Sequence, residues 1–254
     1  MTSSGETSNV SSVLSAIKLS KRYGRHTALN GVSFELREGE ITALLGRNGA
    51  GKSTTLSLLT GRLEPDGGEV RILGQPLTYD ATSLRGYFGF LPEGAPLFND
   101  LTVDQHLTTM AGLRPLSRED QAATIADMLD RFELIDVRHK VIDTLSKGYR
   151  RRVALAAACL GQPKILILDE PTDGLDTFQK DRVLAQLRSA KSSQTLLIST
   201  HNLEDVAEIC DRVIILNDGH LVFDGRVSEL ARRAPEGHLA DAFKTLIISE
   251  GIES

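Results

Sequence analysis

Short apolar runs separated by tight turns dominate the first 75 residues and return after residue 160, a pattern typical of β-strands. The first runs are joined by short turns, which predicts antiparallel strands. After residue 160, a helical pattern at 177–190 separates two apolar runs, and this order of strand, helix and strand predicts a parallel sheet covered on both faces. The predicted strands are 13–20, 32–36, 41–45, 70–73, 165–168 and 195–199, followed by a hairpin of 213–216 and 221–223.

From about residue 100 to about residue 160 the apolar positions recur at helical spacing instead. Ser117, with Asp120 three residues later, resembles a capping box that starts a helix. The apolar face of that helix consists of Ala122, Ile125, Leu129 and Phe132. Another helix is predicted over 150–160. The chain is therefore expected to be an α/β protein with a helical insertion over about 95–160.

Composition narrows the class of protein. Of the 254 residues, 41% are apolar and 25% are charged, which is ordinary for a globular protein. No apolar run approaches the roughly 18 residues of a membrane-spanning helix, so the chain is not expected to cross a membrane by itself. The net charge of −5 disfavours a general nucleic-acid-binding surface, and no nucleic-acid partner is expected.

Two further features indicate the compartment. Residues 1–12 lack the basic and apolar regions of a signal peptide, so they are predicted to be a disordered tail and the cytoplasm is the expected location. Cys159 and Cys210 lie in apolar contexts without metal-ligand spacing, which predicts buried free thiols.

The most specific motif follows the strand at 41–45 directly. It matches G-x-x-x-x-G-K-[ST], and its residues are Gly46, Arg47, Asn48, Gly49, Ala50, Gly51, Lys52, Ser53 and Thr54. The glycines allow backbone N–H groups to approach an anion, which a Cβ would obstruct. Lys52 can then reach the β- and γ-phosphates, and Ser53 can ligate Mg²⁺ next to a positive helix N-terminus. We interpret the motif as the phosphate-binding loop of a P-loop NTPase core.

A pair of carboxylates ends the apolar run at 165–168. Ligands of parallel sheets bind outside the carboxyl ends of the strands, which is where Asp169 and Glu170 would lie. Asp169 is suited to hold Mg²⁺, and Glu170 is suited to orient the attacking water or accept its proton.

Together these segments resemble the nucleotide-binding subunit of an ATP-binding cassette (ABC) transporter, from about residue 13 to 225. The parts that match the family pattern, in its order, are Tyr23, the phosphate loop, the segment at 90–93, the signature at 145–149, the acidic strand end, and the segments at 174–176 and 199–201. The resemblance implies a P-loop NTPase fold with a mostly parallel sheet, an N-terminal antiparallel β subdomain and an inserted α-helical subdomain. It also implies an ATPase domain over 13–235 and a C-terminal helix or tail over 236–254.

The resemblance assigns roles to individual residues. Tyr23 would stack on adenine, and Ser146 and Gly148 of the signature would cap the γ-phosphate held by a second subunit. His201 would contact the γ-phosphate, and Asp176 would cross the dimer interface. Glu170, His201 and Lys52 would carry catalysis. Three residues would hold Mg²⁺: Ser53, Glu93 and Asp169.

The implied protein hydrolyses ATP to drive a membrane transporter. Its partners would be an integral-membrane permease and a second nucleotide-binding subunit, with a homodimer as the expected form. It would be peripheral on the cytoplasmic face of the membrane. The Pro92-Glu93 pair, the Leu-Ser-Lys-Gly-Tyr signature and a closing helix at 239–248 are similar to the ABC-2-type exporter branch.

Two positions depart from the family pattern. Glu93 stands where the family usually has glutamine, which adds negative charge beside a triphosphate. The signature, usually Leu-Ser-Gly-Gly-Gln, is Leu-Ser-Lys-Gly-Tyr here, which keeps the serine and the second glycine. A basic cluster begins within it, and cations at a helix N-terminus cost about 0.3–1 kcal/mol each when exposed. That cluster consists of Lys147, Arg150, Arg151 and Arg152. It is either a solvated charge run or attracted to a partner's nucleotide or an acidic surface.

Two other functions remain open on the sequence alone. A soluble ABC ATPase of an iron–sulfur assembly complex fits the chain length, whereas a DNA-end-gripping repair ATPase would need a coiled coil that is missing between the two motifs. A regulatory ATP sensor that does not turn over is a third reading, which Glu93 favours mildly.

Overall fold

The computed structural model of the protein describes residues 11–234 and 238–249. The strands in these residues are β1 (Ser12–Tyr23), β2 (His26–Arg37), β3 (Ile41–Leu45), β4 (Gly67–Ile72), β5 (Gln75–Pro76), β6 (Phe88–Leu91), β7 (Ile165–Asp169), β8 (Thr195–Ser199), β9 (Arg212–Asn217) and β10 (His220–Arg226). The helices are α1 (Lys52–Leu59), α2 (Thr82–Arg85), α3 (Val103–Gly112), α4 (Arg118–Arg131), α5 (Lys147–Cys159), α6 (Thr177–Ala190), α7 (Leu203–Ile209), α8 (Val227–Ala231) and α9 (Leu239–Ser249).

Two sheets organise the fold. The larger sheet has the order β10-β9-β3-β8-β7-β6, in which β9, β3, β8, β7 and β6 are parallel and β10 is an antiparallel edge. The smaller sheet is antiparallel with the order β2-β1-β4-β5. Helices α3, α4 and α5 form most of the insertion between β6 and β7. The predicted fold class, with its mostly parallel sheet and antiparallel N-terminal sheet, is confirmed.

Side chains of the central strands point alternately to the two faces of the sheet, so the core has one layer on each face. Ile165 and Ile167 of β7 pack in a cluster shared with the antiparallel sheet and α1. Leu166 and Leu168 point to the other face and pack against α3, α4, α5 and α6. Every residue of β7 is buried, because a parallel sheet covered on both faces needs apolar side chains on each side. This double burial makes the carboxyl edge of the sheet a rigid place for functional groups.

Some observed boundaries differ from the predicted ones. The strand β6 was not predicted from the sequence, and α5 begins at Lys147, three residues before the predicted start. Residues 1–10 of the expected tail, residue 235 of the expected ATPase domain, and residues 236–237 and 250–254 of the expected C-terminal piece lie outside the described residues. Strand β1 already begins at Ser12, within the expected tail. Cys159 is buried and Cys210 is partly buried; both are free thiols, and burial raises their pKa values to about 11 and about 12.

The helices within the described residues are all too short or too polar to cross a bilayer.

The glycine in β6 offers a test of this packing. A Cβ added at Gly89 would lie 2.0 Å from the carbonyl oxygen of Ala158 and 2.9 Å from Leu166 Cδ1. We expect Gly89→Ala to lower the free energy of unfolding by about 1–3 kcal/mol, because the strand must move away from α5. Urea denaturation measures this change.

Gly112→Ala is the matched control, because a Cβ there meets nothing within 4 Å and Gly112 ends α3. This control should be neutral or stabilising by up to about 1 kcal/mol. Equal stability of the two variants would contradict the close packing of β6 on α5.

Candidate nucleotide-binding site

The loop between β3 and α1 is shaped by close backbone contacts. Gly46 has φ 159°, and a Cβ there would lie 2.6 Å from the carbonyl oxygen of Leu216. Gly51 has φ 103°, and a Cβ there would lie 2.6 Å from the carbonyl oxygen of Ala28. Strands β9 and β2 therefore clamp the two ends of the loop, and only glycine fits at either end. Between the clamps, Arg47, Asn48 and Gly49 are exposed.

Helix α1 begins within the loop without a side-chain cap. Its first N–H groups thus remain available to an anion, and the positive end of the helix dipole adds to their attraction. Ser53 lies exposed in this first turn and Thr54 is half-buried. The geometry suits a phosphate chain laid across the loop.

Lys52 is folded back over the same loop. Its Nζ donates to the carbonyl oxygens of Gly46 at 2.7 Å and Arg47 at 3.2 Å. Burial lowers the pKa of Lys52, whereas Glu170, Asp169 and Glu93 nearby act to raise it. The ammonium group thus shares a partly desolvated space with three carboxylates, and a phosphate can replace the carbonyl partners.

Asp169 is the last residue of β7 and is only 7% exposed. Burial raises its pKa, and the neighbouring carboxylates Glu93 and Glu170 raise it further, while Lys52 acts to lower it. A desolvated carboxylate beside two others gains from a bound cation, since opposite charge favours the ionised form.

Glu170 follows in a left-handed backbone conformation with φ 47°. For a residue other than glycine this costs about 1–2 kcal/mol, and such strain tends to occur at functional sites. The conformation turns the carboxylate toward the end of β8, where Glu170 Oε1 lies 2.9 Å from His201 Nδ1. The His201 side chain itself is 75% exposed, so its other ring nitrogen is available to a ligand.

A cleft of about 730 Å³ lies beside the phosphate loop and reaches Glu170 and His201. The residues that line it are Asn48, Glu93, Gly94, Ala95, Lys147, Arg150, Arg151, Glu170, Asp173 and His201. The carboxyl ends of β3, β6, β7 and β8 thus bring the phosphate loop, Glu93, the acidic pair and His201 to one edge of the sheet, as the strand order requires.

The signature residues cap helix α5. The Ser146 hydroxyl accepts a hydrogen bond from the Tyr149 N–H at 3.4 Å. Gly148 is buried against α6 of the same chain, because a Cβ there would lie 1.9 Å from Gln179 Oε1. Lys147 pairs with Asp173 at 3.4 Å, and both side chains are mostly exposed. Ser146 is itself exposed and free to meet a ligand from outside the chain.

Tyr23 and Asp176 do not line this cleft. Tyr23 is 51% exposed and pairs with His26 at the tip of the β1–β2 hairpin. The β2 arm of that hairpin carries Ala28, whose carbonyl oxygen lies under Gly51, so the hairpin tip is anchored to the phosphate loop. Asp176 is exposed and caps α6 by accepting from the Gln179 N–H at 2.9 Å.

Two members of the basic cluster of α5 are buried, which the sequence did not predict. Arg151 and Arg152 are only 7% and 8% exposed, so they are not part of a solvated charge run. Arg152 donates to the carbonyl oxygen of Phe132 at 3.2 Å, and Arg151 donates to carbonyl oxygens that flank Glu170. Carbonyl oxygens of the same chain accept from both arginines, and the carboxylate of Glu133 lies 3.2 Å from Arg152 Nη1 as a charged partner. The sequence pattern of the helix does not predict the burial of these two arginines, since arginine is usually exposed.

The residues present fit a Mg²⁺ ion. Asp169 and Glu93 supply hard oxygen ligands, and Ser53 supplies a hydroxyl. No group of three or more His, Cys, Asp and Glu side chains in the described part of the chain has the arrangement of a protein-only metal cage. Mg²⁺ is usually bound by one or two carboxylates together with water and substrate phosphates, which matches this set.

The extra carboxylate at Glu93 has a measurable consequence. We expect Glu93→Gln to raise ATP affinity in the absence of Mg²⁺ about fivefold, because one of the negative charges facing the phosphates is removed. The affinity in saturating Mg²⁺ should change less. The dissociation constant without Mg²⁺, divided by the one with Mg²⁺, should therefore fall.

Two titrations of the protein with a fluorescent ATP analogue, one in EDTA and one in saturating Mg²⁺, check this expectation. Glu204→Gln is the control, since the side chain of Glu204 is 91% exposed at the start of α7. An unchanged ratio in Glu93→Gln would show that Glu93 does not face the phosphates.

Comparison with known proteins gives consistent results. The family model described as "ABC transporter" matches residues 29–173. An uncharacterized ABC transporter ATP-binding protein of Bacillus subtilis (strain 168) is 38% identical over 87% of this chain and 73% of its own length. The Nod factor export ATP-binding protein I of Burkholderia orbicola (strain AU 1054) is 36% identical over 81% of this chain and 68% of its own length. The chain spans only 25% of a longer relative, ABC transporter A family member 8 of Dictyostelium discoideum.

Two solved structures show the same fold. The ATP-binding subunit of an ABC transporter is 30% identical, with a TM-score of 0.85 over 92% of this chain and 99% of that one. A dimeric ATP-binding cassette in a post-hydrolysis state, bound to ADP and Pi, is 26% identical, with a TM-score of 0.76 over 84% of this chain and 98% of that one.

Proposed function

The chain belongs to the ABC transporter family, and we propose that it is the ATP-hydrolysing subunit of a membrane exporter of the ABC-2 type. As a member of this family it is an ATPase. The observation that carries the proposal is the meeting of the phosphate loop, the acidic strand end and His201 at one edge of the sheet. The similarity to a Nod factor export protein supports the direction of transport.

Binding of ATP rests on positioning. The N–H groups of the loop and of the first turn of α1 hold the β- and γ-phosphates, and Lys52 exchanges its carbonyl partners for phosphate oxygens. Tyr23 stacks on adenine from the hairpin tip. Ser53, Asp169 and Glu93 would hold Mg²⁺, which would neutralise part of the phosphate charge. The remaining loop residues from Arg47 to Ala50 shape the cradle.

Hydrolysis needs an oriented water. Glu170 accepts a hydrogen bond from this water and takes its proton as the water oxygen bonds to the γ-phosphorus. The bond to the β–γ bridging oxygen breaks, which leaves ADP and phosphate. His201, held by Glu170 at 2.9 Å, directs its free ring nitrogen at the γ-phosphate. These groups act by placement and charge, so the backbone strain at Glu170 is part of the arrangement.

The second subunit completes the site. Ser146 and the N-terminus of α5 are exposed and suited to an anion, so they cap the γ-phosphate of a second copy of this chain. Gly148 allows the helix to start close to α6, and Asp176 lies at the same exposed margin. The dimeric cassette among the similar structures supports this pairing. The complex would sit on the cytoplasmic face of the membrane against a permease.

Co-purification tests the transporter assignment. The tagged chain is captured from source-cell membranes solubilised in mild detergent, and its companions are identified by mass spectrometry, with the tag alone as control. We expect a polytopic membrane protein in a fixed ratio, which stimulates ATP turnover when both are reconstituted in lipid vesicles. Recovery with soluble partners only would leave the ATPase chemistry standing and move the function to an assembly complex.

A further inference from the structure

Arg151 binds the backbone on both sides of Glu170, the residue that is proposed to activate water. Its Nε donates to the carbonyl oxygen of Pro171 at 3.0 Å, and its Nη2 donates to the carbonyl oxygen of Asp169 at 3.0 Å. These carbonyl groups lie on either side of Glu170, and the guanidinium group is buried. A single side chain from α5 therefore grips the backbone both before and after Glu170.

Glu170 itself makes two backbone hydrogen bonds. The Glu170 N–H donates to the carbonyl oxygen of Ser199 at 2.8 Å, and the Glu170 carbonyl accepts from the Asp173 N–H at 3.1 Å. The left-handed φ of Glu170 persists only while its surroundings enforce it. Relaxation of this φ would turn the carboxylate away from His201 and the cleft.

We propose that Arg151 is a positioning residue for ATP hydrolysis, which holds the backbone on both sides of Glu170 so that the carboxylate faces the attacking water. This inference rests on the proposed function, because it acts through Glu170. The guanidinium group does not touch ATP in this role. It also ties the helix that starts at the signature to the acidic strand end of the same chain.

The chemistry explains why the residue is arginine. The planar guanidinium group presents two donors in fixed directions, which fits two carbonyl groups that are held apart by a turn. Burial lowers the pKa of Arg151, and the nearby carboxylates Asp173, Asp169 and Glu170 act in the opposite direction by favouring the charged form. Lysine could donate to the same oxygens only as a single point on a flexible stem.

The test compares Arg151→Met with Arg114→Met. Arg114 is a half-buried control, because its guanidinium group also donates to two backbone carbonyl oxygens, those of Phe88 at 2.9 Å and Ala158 at 3.5 Å, outside the cleft. We expect Arg151→Met to lower kcat about 20-fold or more with KM for ATP within about threefold, whereas Arg114→Met keeps both within about threefold. Arg151→Lys should recover part of kcat, and it decides the outcome if Arg151→Met does not fold.

A double variant separates positioning from general stability. In single-turnover assays of Glu170→Gln, adding Arg151→Met should change the residual rate by less than about twofold, because the group that Arg151 positions is already disabled. A further loss of 20-fold, an equal loss in Arg114→Met, or full kcat in Arg151→Met and Arg151→Lys would each overturn the inference. Full activity of Glu170→Gln alone would instead refute the proposed base, so the two failures are distinguishable.

Discussion

Glu170→Gln is expected to lower ATP turnover about 100- to 1,000-fold while ATP still binds. Glutamine keeps the size and the left-handed backbone position of Glu170, but it cannot accept the proton from water. It also removes a negative charge close to the γ-phosphate, so affinity should stay equal or rise. Phosphate release measures turnover, and equilibrium binding of a fluorescent ATP analogue measures affinity.

Glu204→Gln serves as the control for this prediction as well, because it neutralises an exposed glutamate next to the same sheet edge. It should keep turnover within about twofold, as surface substitutions usually do. Wild-type turnover in Glu170→Gln would remove Glu170 from the mechanism and would leave His201 or Asp169 as the groups to test next.

Lys52→Met should raise the dissociation constant for ATP about 30-fold or more, because charge-assisted hydrogen bonds to phosphate are worth about 1.5–3 kcal/mol each. The free protein should lose little stability. The Lys52 ammonium group is partly desolvated, which lowers its pKa, and methionine of similar length buries no charge. Isothermal titration calorimetry and urea denaturation measure the two quantities.

Lys164→Met is a suitable control, since Lys164 is exposed just before β7 and lies outside the cleft. Unchanged ATP affinity in Lys52→Met would contradict the assignment of the loop at 46–54. A large loss of stability instead would mean that the bonds from Lys52 to the loop carbonyls hold the fold.

The central strands could be predicted because each is a short run of mostly apolar residues, which is typical of a buried strand. The predicted and observed bounds agree for Ile41–Leu45, Thr195–Ser199 and the helix Thr177–Ala190. Each is bounded by polar or glycine-containing turns, so local pattern and tertiary burial favour the same structure. The strand Phe88–Leu91 escaped prediction, because it is short, contains glycine, and exists through pairing with β7.

The site was predictable as a set of motifs but not as a network. Spacing identified the loop at 46–54 and the pair Asp169 and Glu170, since phosphate chemistry demands those residue types. The bond between Glu170 and His201 and the burial of Arg151 depend on how separate strands and helices pack. The roles of Tyr23, Ser146, Gly148 and Asp176 stay predictions, because they involve a nucleotide and a second subunit.

The order of strands also sets a distance. β8 lies between β3 and β7, and neighbouring strands are about 4.8 Å apart, so the strands that end in the phosphate loop and in Glu170 are separated by about 9.6 Å. The intervening strand β8 leads into His201, so this histidine enters the site between the phosphate loop and Glu170. Backbone pairing therefore fixes the separation of the two strand ends, while the charges of Lys52 and Glu170 still act on each other across it.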